Sequence, residues 1–394
     1  MVAAWEKVRI GDIAQTNVNT YATKENWGYV NYLDTGNLTK DEVDEYQHIV
    51  IGKDKLPSRA RRKVKKNDIL YSTVRPNQLH YGIVKSIVPN LLVSTGFTVI
   101  SVDETKADSE FVYFFLTQSD VTDKLHAIGE QSTSAYPSIK ASDIKNLEIA
   151  LPSLDEQRKI ARSLRVLDDK IEVNKKINHH LAEIAKSIFD SYFIDLEPYG
   201  GNVPVDWQSS NLTGIANYLN GLAMQKYRPQ SNEQGLPVLK IKELRQGFTD
   251  STSDLCSSSI RKDYIIHDGD VIFSWSGSLL VDFWTGGGCG LNQHLFKVTS
   301  GTYDKWFYYA WTKHHLDRFI KMAADRATTM GHIKRDALEK AEVLIPSDKD
   351  YDEIGNMLKP IYDQIINNRI ESRKLVALRD SLLPKLMSGE ISVN

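Results

Sequence analysis

Two stretches of the chain carry apolar residues at spacings that alternate between three and four. The first stripe holds Ile160, Leu164, Leu167, Ile171, Asn174, Leu181, Ile184 and Ile188. The second holds Ile354, Leu358, Ile361, Ile365, Asn368, Leu375, Leu378 and Leu382. That spacing predicts long helices over about 152–193 and 350–388 with a coiled-coil seam. At 1.5 Å per residue each helix reaches about 55 Å, and a helix of that length buries its stripe only against another helix. Asn174 and Asn368 interrupt the two stripes at matched places. A polar seam residue fixes register at a cost in stability; the alternative is a pair of exposed asparagines.

The stretch before each helix has short apolar runs instead, and the two stretches answer each other. Trp5, Ile13 and Ala14 return as Trp207, Ile215 and Ala216, and the strand Asp68 to Ser72 returns as Asp270 to Ser274, all displaced by 202 residues. Each strand follows a turn, Lys66-Asn67 or Asp268-Gly269. Farther on the displacement is 194: Ile139-Lys140 meets Ile333-Lys334, and Leu147 to Pro152 meets Ala341 to Pro346. Each of those segments ends on a proline that opens a helix, where a missing N–H costs least. The chain therefore reads as globule, helix, globule, helix, at 1–151, 152–199, 200–346 and 347–394. The predicted fold class is α+β: two mixed α/β globules joined by two long helices in an antiparallel coiled coil, a pseudo-twofold internal repeat. Gly200 to Pro204 forms the junction into the second globule.

Length and charge narrow the function. The 394 residues suit two or three domains. Apolar residues at 41% and charged residues at 25% are ordinary for a soluble globular chain. No apolar run reaches bilayer length, the first residues lack a signal-peptide pattern, and Cys256 and Cys289 make no CxxC pair or disulfide framework. A cytoplasmic location is expected, with no membrane partner. The net charge of −2 counts against a free-standing DNA binder, which is usually basic, but permits local basic patches.

At this point the residues resemble a known family. The segment LPSLDEQRKI (151–160), with its continuations LDDKIEVN (167–174) and LAEIAKSIF (181–189), resembles the central region of type I restriction-modification specificity subunits. GYVNYLDTGN (28–37), GLNQHLF (290–296) and ATTMGHIK (327–334) are similar to that family's recognition domains. The second helix departs from the pattern at its start, where Asp348 to Tyr351 replaces Leu154 to Gln157. The resemblance implies two target recognition domains, each reading half of a bipartite double-stranded DNA site. It implies helices that space the half-sites and dock two methylation subunits, which hold S-adenosylmethionine and methylate adenine. A restriction subunit with ATP and magnesium can join. It implies no cofactor on this chain and no catalysis by it. The rival class is a coiled-coil adaptor that tethers two protein-binding domains.

DNA contact needs cations for phosphates and directed polar groups for base edges. The densest basic stretch is Lys53, Lys55, Arg59, Arg61, Arg62, Lys63, Lys65 and Lys66, the candidate phosphate contact, with a solvated charged loop as the alternative. Next comes a polar cluster, Thr73, Arg75, Asn77 and Gln78, around Pro76. Arginine can pair two-pronged with guanine, and asparagine or glutamine with adenine. The matching loop of the second globule offers Ser276 and Ser278. A second loop pair holds Ser134, Tyr136 and Lys140 in one globule and Arg326, Thr328, Thr329, His332 and Lys334 in the other. Lys226, Tyr227 and Arg228 form a smaller cluster. A bland surface loop is the competing reading throughout.

Catalytic signals are absent. Gly286 to Gly290 lacks a following Lys-Ser/Thr and reads as a turn between strands. Ser276 is not in a nucleophile elbow. His179-His180 and His314-His315 lack metal-ligand spacing. The aromatic runs from Trp306 to Trp311 and from Phe111 to Phe115 read as helices packed on a sheet.

Overall fold

The computed structural model describes residues 5–133, 136–324, 333 and 335–393. It divides into two units: Met1–Asp168 with Ala377–Asn394, and Asp169–Val376.

In the first unit, strand Glu6–Arg9 pairs antiparallel with Glu148–Leu151 and so brings the globule's start beside its end. An antiparallel sheet runs in the order Ala14–Thr16, Phe97–Val102, Ile69–Ser72, Tyr81–Ile83. A second sheet runs Gln47–Val50, Tyr29–Leu33, Leu91–Ser94, Ala60–Lys63, with a parallel pair at its centre. Strand Ile69–Ser72 is buried on both faces, and its period of two explains how. Ile69 and Tyr71 pack toward Phe111, Val112 and Phe114 of helix Ser109–Leu116. Leu70 points the other way, onto Leu33, Leu91 and Val93 of the second sheet.

The second unit repeats this plan strand for strand. Gln208–Asn211 pairs with Glu342–Ile345. One sheet runs Asn217–Asn220, Leu295–Thr299, Val271–Ser274, Leu280–Phe283. The other runs Leu255–Cys256, Leu236–Leu239, Cys289–Leu291, Ile265–Ile266, again with a central parallel pair. Phe273 packs among Trp306, Phe307 and Phe319, while Ile272 faces Leu239, Trp284 and Leu291. The aromatic runs are helix core, as their spacing suggested: Trp306, Phe307, Trp311, Phe111 and Phe114 are all buried. The turns before the two matching strands also coincide. Asn67 has φ +68° and Gly269 φ +83°, the left-handed region that glycine and asparagine enter at least cost.

The long helices are Leu154–Phe189 and Asp348–Met387. Their first caps are serines rather than the prolines. Ser153 Oγ accepts from the Glu156 amide at 3.3 Å, and Ser347 Oγ from the Asp350 amide at 3.4 Å. Pro152 and Pro346 each lie one residue earlier. The stripes need one correction. Ile184 and Leu378 are 49% and 46% exposed, whereas Ala185 and Leu386 are buried. Strict alternation of four and three from Ile160 runs through Asn174, Asn178, Leu181, Ala185 and Ile188, so Ile184 stands off the seam. The same count from Ile354 passes Ser372, Leu375, Arg379, Leu382 and Leu386, leaving Leu378 outside. Most of the other stripe residues do face inward: Ile160, Leu164, Ile171, Ile354, Leu358 and Ile365 are buried, and Leu167, Leu181, Ile188, Ile361, Leu375 and Leu382 are half-buried.

Within the second unit, the two asparagines meet. Asn174 Nδ2 donates to Glu371 Oε2 at 2.7 Å, and more weakly to Ser372 Oγ and the Asn368 carbonyl. Asn368 Nδ2 donates to Asn178 Oδ1 at 2.9 Å, and Asn178 Nδ2 to the Ile365 carbonyl at 3.2 Å. The exposed-asparagine alternative fails, since Asn174 is 0% and Asn368 5% exposed. Within the first unit, Arg379 pairs with Asp168 at 2.8 Å, and Leu386 and Met387 join the cluster of Ile160 and Leu164.

Candidate nucleic-acid interface

Loops gather at one end of each unit's antiparallel sheet, and backbone hydrogen bonds hold them there. In the first unit, the Thr73 amide and hydroxyl both donate to the Gly96 carbonyl at 2.8 Å. The Ile139 amide donates to the Thr73 carbonyl at 2.9 Å, the Arg75 amide to Pro137 O at 2.8 Å, and the Thr95 amide to Arg59 O at 2.9 Å. These bonds bring Arg59, Thr73, Arg75 and Tyr136 together from three separate stretches. Arg75 has φ +47°, a left-handed backbone that costs a non-glycine residue energy. Its guanidinium lies 4.5 Å from the centre of the Tyr136 ring, a cation–π stack, and Tyr136 is 56% exposed. The tight turn Pro76–Gln78 follows, with Asn77 and Gln78 exposed. Lys140 is exposed one turn beyond, at the start of helix Ala141–Lys145.

The basic stretch is part strand and part loop: Arg61, Arg62 and Lys63 lie in a strand, and Lys53, Lys55, Arg59, Lys65 and Lys66 lie in the loops around it. Ala60–Lys63 is the edge strand of the second sheet, paired with Leu91–Ser94. Its side chains are partly committed: Lys63 pairs with Glu25 at 2.8 Å and lies over Trp27, and burial lowers the pKa of Arg62. Arg61 is half-buried and donates from Nε to Ser58 O. Lys53, Lys55, Arg59, Lys65 and Lys66 remain exposed. Edge strands also carry cations to discourage pairing with other sheets, so only the exposed members are free for phosphates.

The second unit builds the same end from different chemistry. The Ile333 amide donates to the Trp275 carbonyl at 3.1 Å, as Ile139 does to Thr73. Ser274 Oγ donates to the Ser276 carbonyl, as Ser72 Oγ does to Val74. Ser276, expected as a DNA contact, is only 2% exposed, and its hydroxyl lies 3.1 Å from His294 Nδ1. Ser278 is exposed. Lys226, Tyr227 and Arg228 are exposed on the loop after Leu222, itself bridged to Asn292. Ser134, Arg326, Thr328, Thr329, His332 and Lys334 lie outside the described residues.

Sequence reasoning passed over two groups here. Asn220, Gln293 and His294 join the second unit's loop cluster, and the GLNQHLF motif hinted only at the last two. Arg165 is a second omission: 8% exposed on the first long helix, it pairs with Glu110 at 2.8 Å and Asp41 at 3.3 Å. Asp41 in turn accepts the Ile83 amide, on the strand that follows the Pro76–Gln78 turn. A charged residue one step from an apolar seam gives no sequence signal for such burial.

Cys256 and Cys289 are buried free thiols, and burial pushes both pKa values up. His179 and His180 lie exposed on a helix beside Glu183. Among the described residues, no group of three His, Cys, Asp or Glu side chains could hold a metal ion, and no helix is long and apolar enough to cross a membrane.

The type I restriction modification DNA specificity domain matches twice, at residues 3–183 and 204–374. The chain belongs to that family. It is 23% identical to the type I restriction enzyme HindI specificity subunit of Haemophilus influenzae, over 98% of this chain and 99% of that one. It is 27% identical to the MjaIX specificity subunit of Methanocaldococcus jannaschii, over 98% and 92%. The crystal structure of the type I restriction-modification S subunit from M. genitalium shares the fold, with a TM-score of 0.57 at 16% identity and coverage of 98% and 97%. The family's doubled domain coincides with the internal repeat.

Proposed function

We propose that this chain is the sequence-reading subunit of a type I restriction-modification complex and has no catalytic role in it. The first unit reads one half of a bipartite double-stranded DNA target and the second unit reads the other. One observation carries this reading: the loops at equivalent sheet ends share a backbone frame but present different side chains. A stacked arginine and tyrosine stand in one unit, and an amide, imidazole and indole group in the other. That is what two readers of different half-sites require, because phosphates only position a protein whereas base edges specify it.

In this reading the long helices form an antiparallel coiled coil with pseudo-twofold character. The seam contacts at Asn174, Asn368, Asp168 and Arg379 support it. Two-fold-related readers face one side of a duplex when centred about 34–36 Å apart, and a helix of 36 residues is long enough to fix such a gap. A flexible linker could not. The same helices dock two methylation subunits in the cytoplasm. S-adenosylmethionine resides in those subunits, and ATP and magnesium in a restriction subunit where one joins.

The test is a genome-wide map of methylated adenines in a host expressing the methylation subunit, with and without this chain. A bipartite motif that appears only with the chain is the expected result. Co-purification without any motif would sink the reading and leave an adaptor. Salt separates the two as well: DNA affinity falls steeply with ionic strength when phosphates are contacted.

A further inference from the structure

The second unit's loop end holds side chains fixed in place before any ligand arrives. Trp275 donates from its indole nitrogen to Asn220 Oδ1 at 3.1 Å. His294 Nδ1 lies 3.1 Å from the Ser276 hydroxyl, and His294 Nε2 lies 3.4 Å from Gln293 Nε2. Both contacts are satisfied when one Gln293 N–H donates to His294 Nε2 and His294 Nδ1–H donates to Ser276 Oγ. The Trp275 ring lies tilted against Phe296 at 5.6 Å and near His294 at 6.5 Å, so its apolar body walls one side. The backbone is equally constrained. The Gln293 amide donates to Leu222 O at 2.8 Å, and Gly221 approaches Asn292 so closely that a Cβ there would lie 2.2 Å from its carbonyl oxygen. Only glycine fits that approach.

This arrangement leaves Gln293 Oε1 and its second N–H without a partner among the described residues, while Ser276 and His294 restrict how the amide can turn. An acceptor and a donor on one planar amide match the N6 and N7 edge of adenine. The repeat sharpens the point. Superposing the strand pairings sets Thr95 and Gly96 of the first unit opposite Gln293 and His294. The frame is shared, and the chemistry at this place is not.

We infer that Gln293 is a base-reading residue of the second unit, with His294 and Ser276 as its positioning residues and adenine as the base it prefers. This rests on the proposed role of the second unit as reader of one half-site. A fixed amide loses less freedom on binding than a mobile one, which is what the Ser276–His294 relay supplies.

The experiment uses the full chain with its methylation subunit and compares methylated-site motifs for the unaltered protein, Gln293→Glu and Ser276→Ala. Gln293→Glu keeps the size and removes the donor. It should lower preference for adenine at one position of one half-site about tenfold and move it toward cytosine, whose amino group a carboxylate can accept. Ser276→Ala should relax the same position without redirecting it. The other half-site should stay unchanged in both. An unaltered motif, or a drop in methylation spread evenly over all sites, would overturn the assignment. If the unaltered protein yields no bipartite motif at all, the role of the second unit fails instead. Co-purification with the methylation subunit and an unchanged first half-site motif show that each variant is folded.

Discussion

The two units place the same strands in the same order and end them in different chemistry. At the first unit's loop end, a cation stacks on a phenol, and further exposed cations come from the turns flanking a neighbouring edge strand. At the second, an amide, an imidazole and a hydroxyl are joined by polar contacts behind the Trp275 ring, and the exposed cations Lys226 and Arg228 stand on a separate loop. They also differ in what braces the frame. Between its two central strands the first unit inserts the hairpin Leu38–Thr39 and Glu42–Val43, gripped by Arg165 from the long helix. The second inserts the helix Ile241–Gln246 instead, and its long helix holds on through Arg369 to Asp282 and Arg373 to Asp268. A duplicated frame thus tolerates change in its loops and in its bracing alike, provided the double-faced central strand stays.

That proviso yields the largest expected effect. Phe273 is fully buried at the centre of the second unit, in the place that Tyr71 holds in the first. Phe273→Ala should cost roughly 3–5 kcal/mol in transfer and cavity terms. Hydrogen exchange should show the loss in the second unit's strands with the first unit's protection retained. Equal loss in both would mean that the units are one cooperative block, and the comparison between them would collapse.

Acid should separate the units next. His315 is 7% exposed, and its Nε2 lies 2.8 Å from the Glu342 carbonyl. Burial is the main cause that pushes its pKa from 6.5 down to about 4, and neighbouring His314 is lowered as well. The folded state keeps the ring neutral while the unfolded chain takes a proton below pH 6.5. Stability is therefore whole above that pH and falls as pH drops from 6.5 toward 4, by about 3 kcal/mol at most. No histidine stands at the equivalent place in the first unit. Urea midpoints followed by exchange across that window should fall for the second unit, and His315→Gln should flatten the slope. A slope shared equally by both units would count against this origin.

The smallest effect concerns reading itself. Arg75→Ala should cost about 1–2 kcal/mol of discrimination at one base position of the first half-site, with the second half-site intact in the methylation map. If all sequences weaken together, Arg75 holds phosphate only.

The frame was largely legible in the sequence. Matched tryptophans, matched strands and a seam of alternating spacing rest on periodicity, which local chemistry dictates. The loop cluster was half legible. Arg75 and Tyr136 announce themselves as polar and aromatic residues beside a proline, and the structure stacks them. Ser276 misled, because a serine in a loop carries no sign of which way it faces, and His294 draws it inward. The parallel pairing of Tyr29–Leu33 with Leu91–Ser94 joins segments some sixty residues apart, and neither strand names its partner. The basic stretch was half legible for a related reason: charge density says nothing of which cations an opposite charge has already taken, as Glu25 takes Lys63.

The short ladders Glu6–Arg9 with Glu148–Leu151 and Gln208–Asn211 with Glu342–Ile345 have one more consequence. Each globule leaves the chain where it entered it. A globule of different sequence and length would therefore meet the following helix at the same point, so long as the two border strands still pair, and the seam of that helix would not have to change with it.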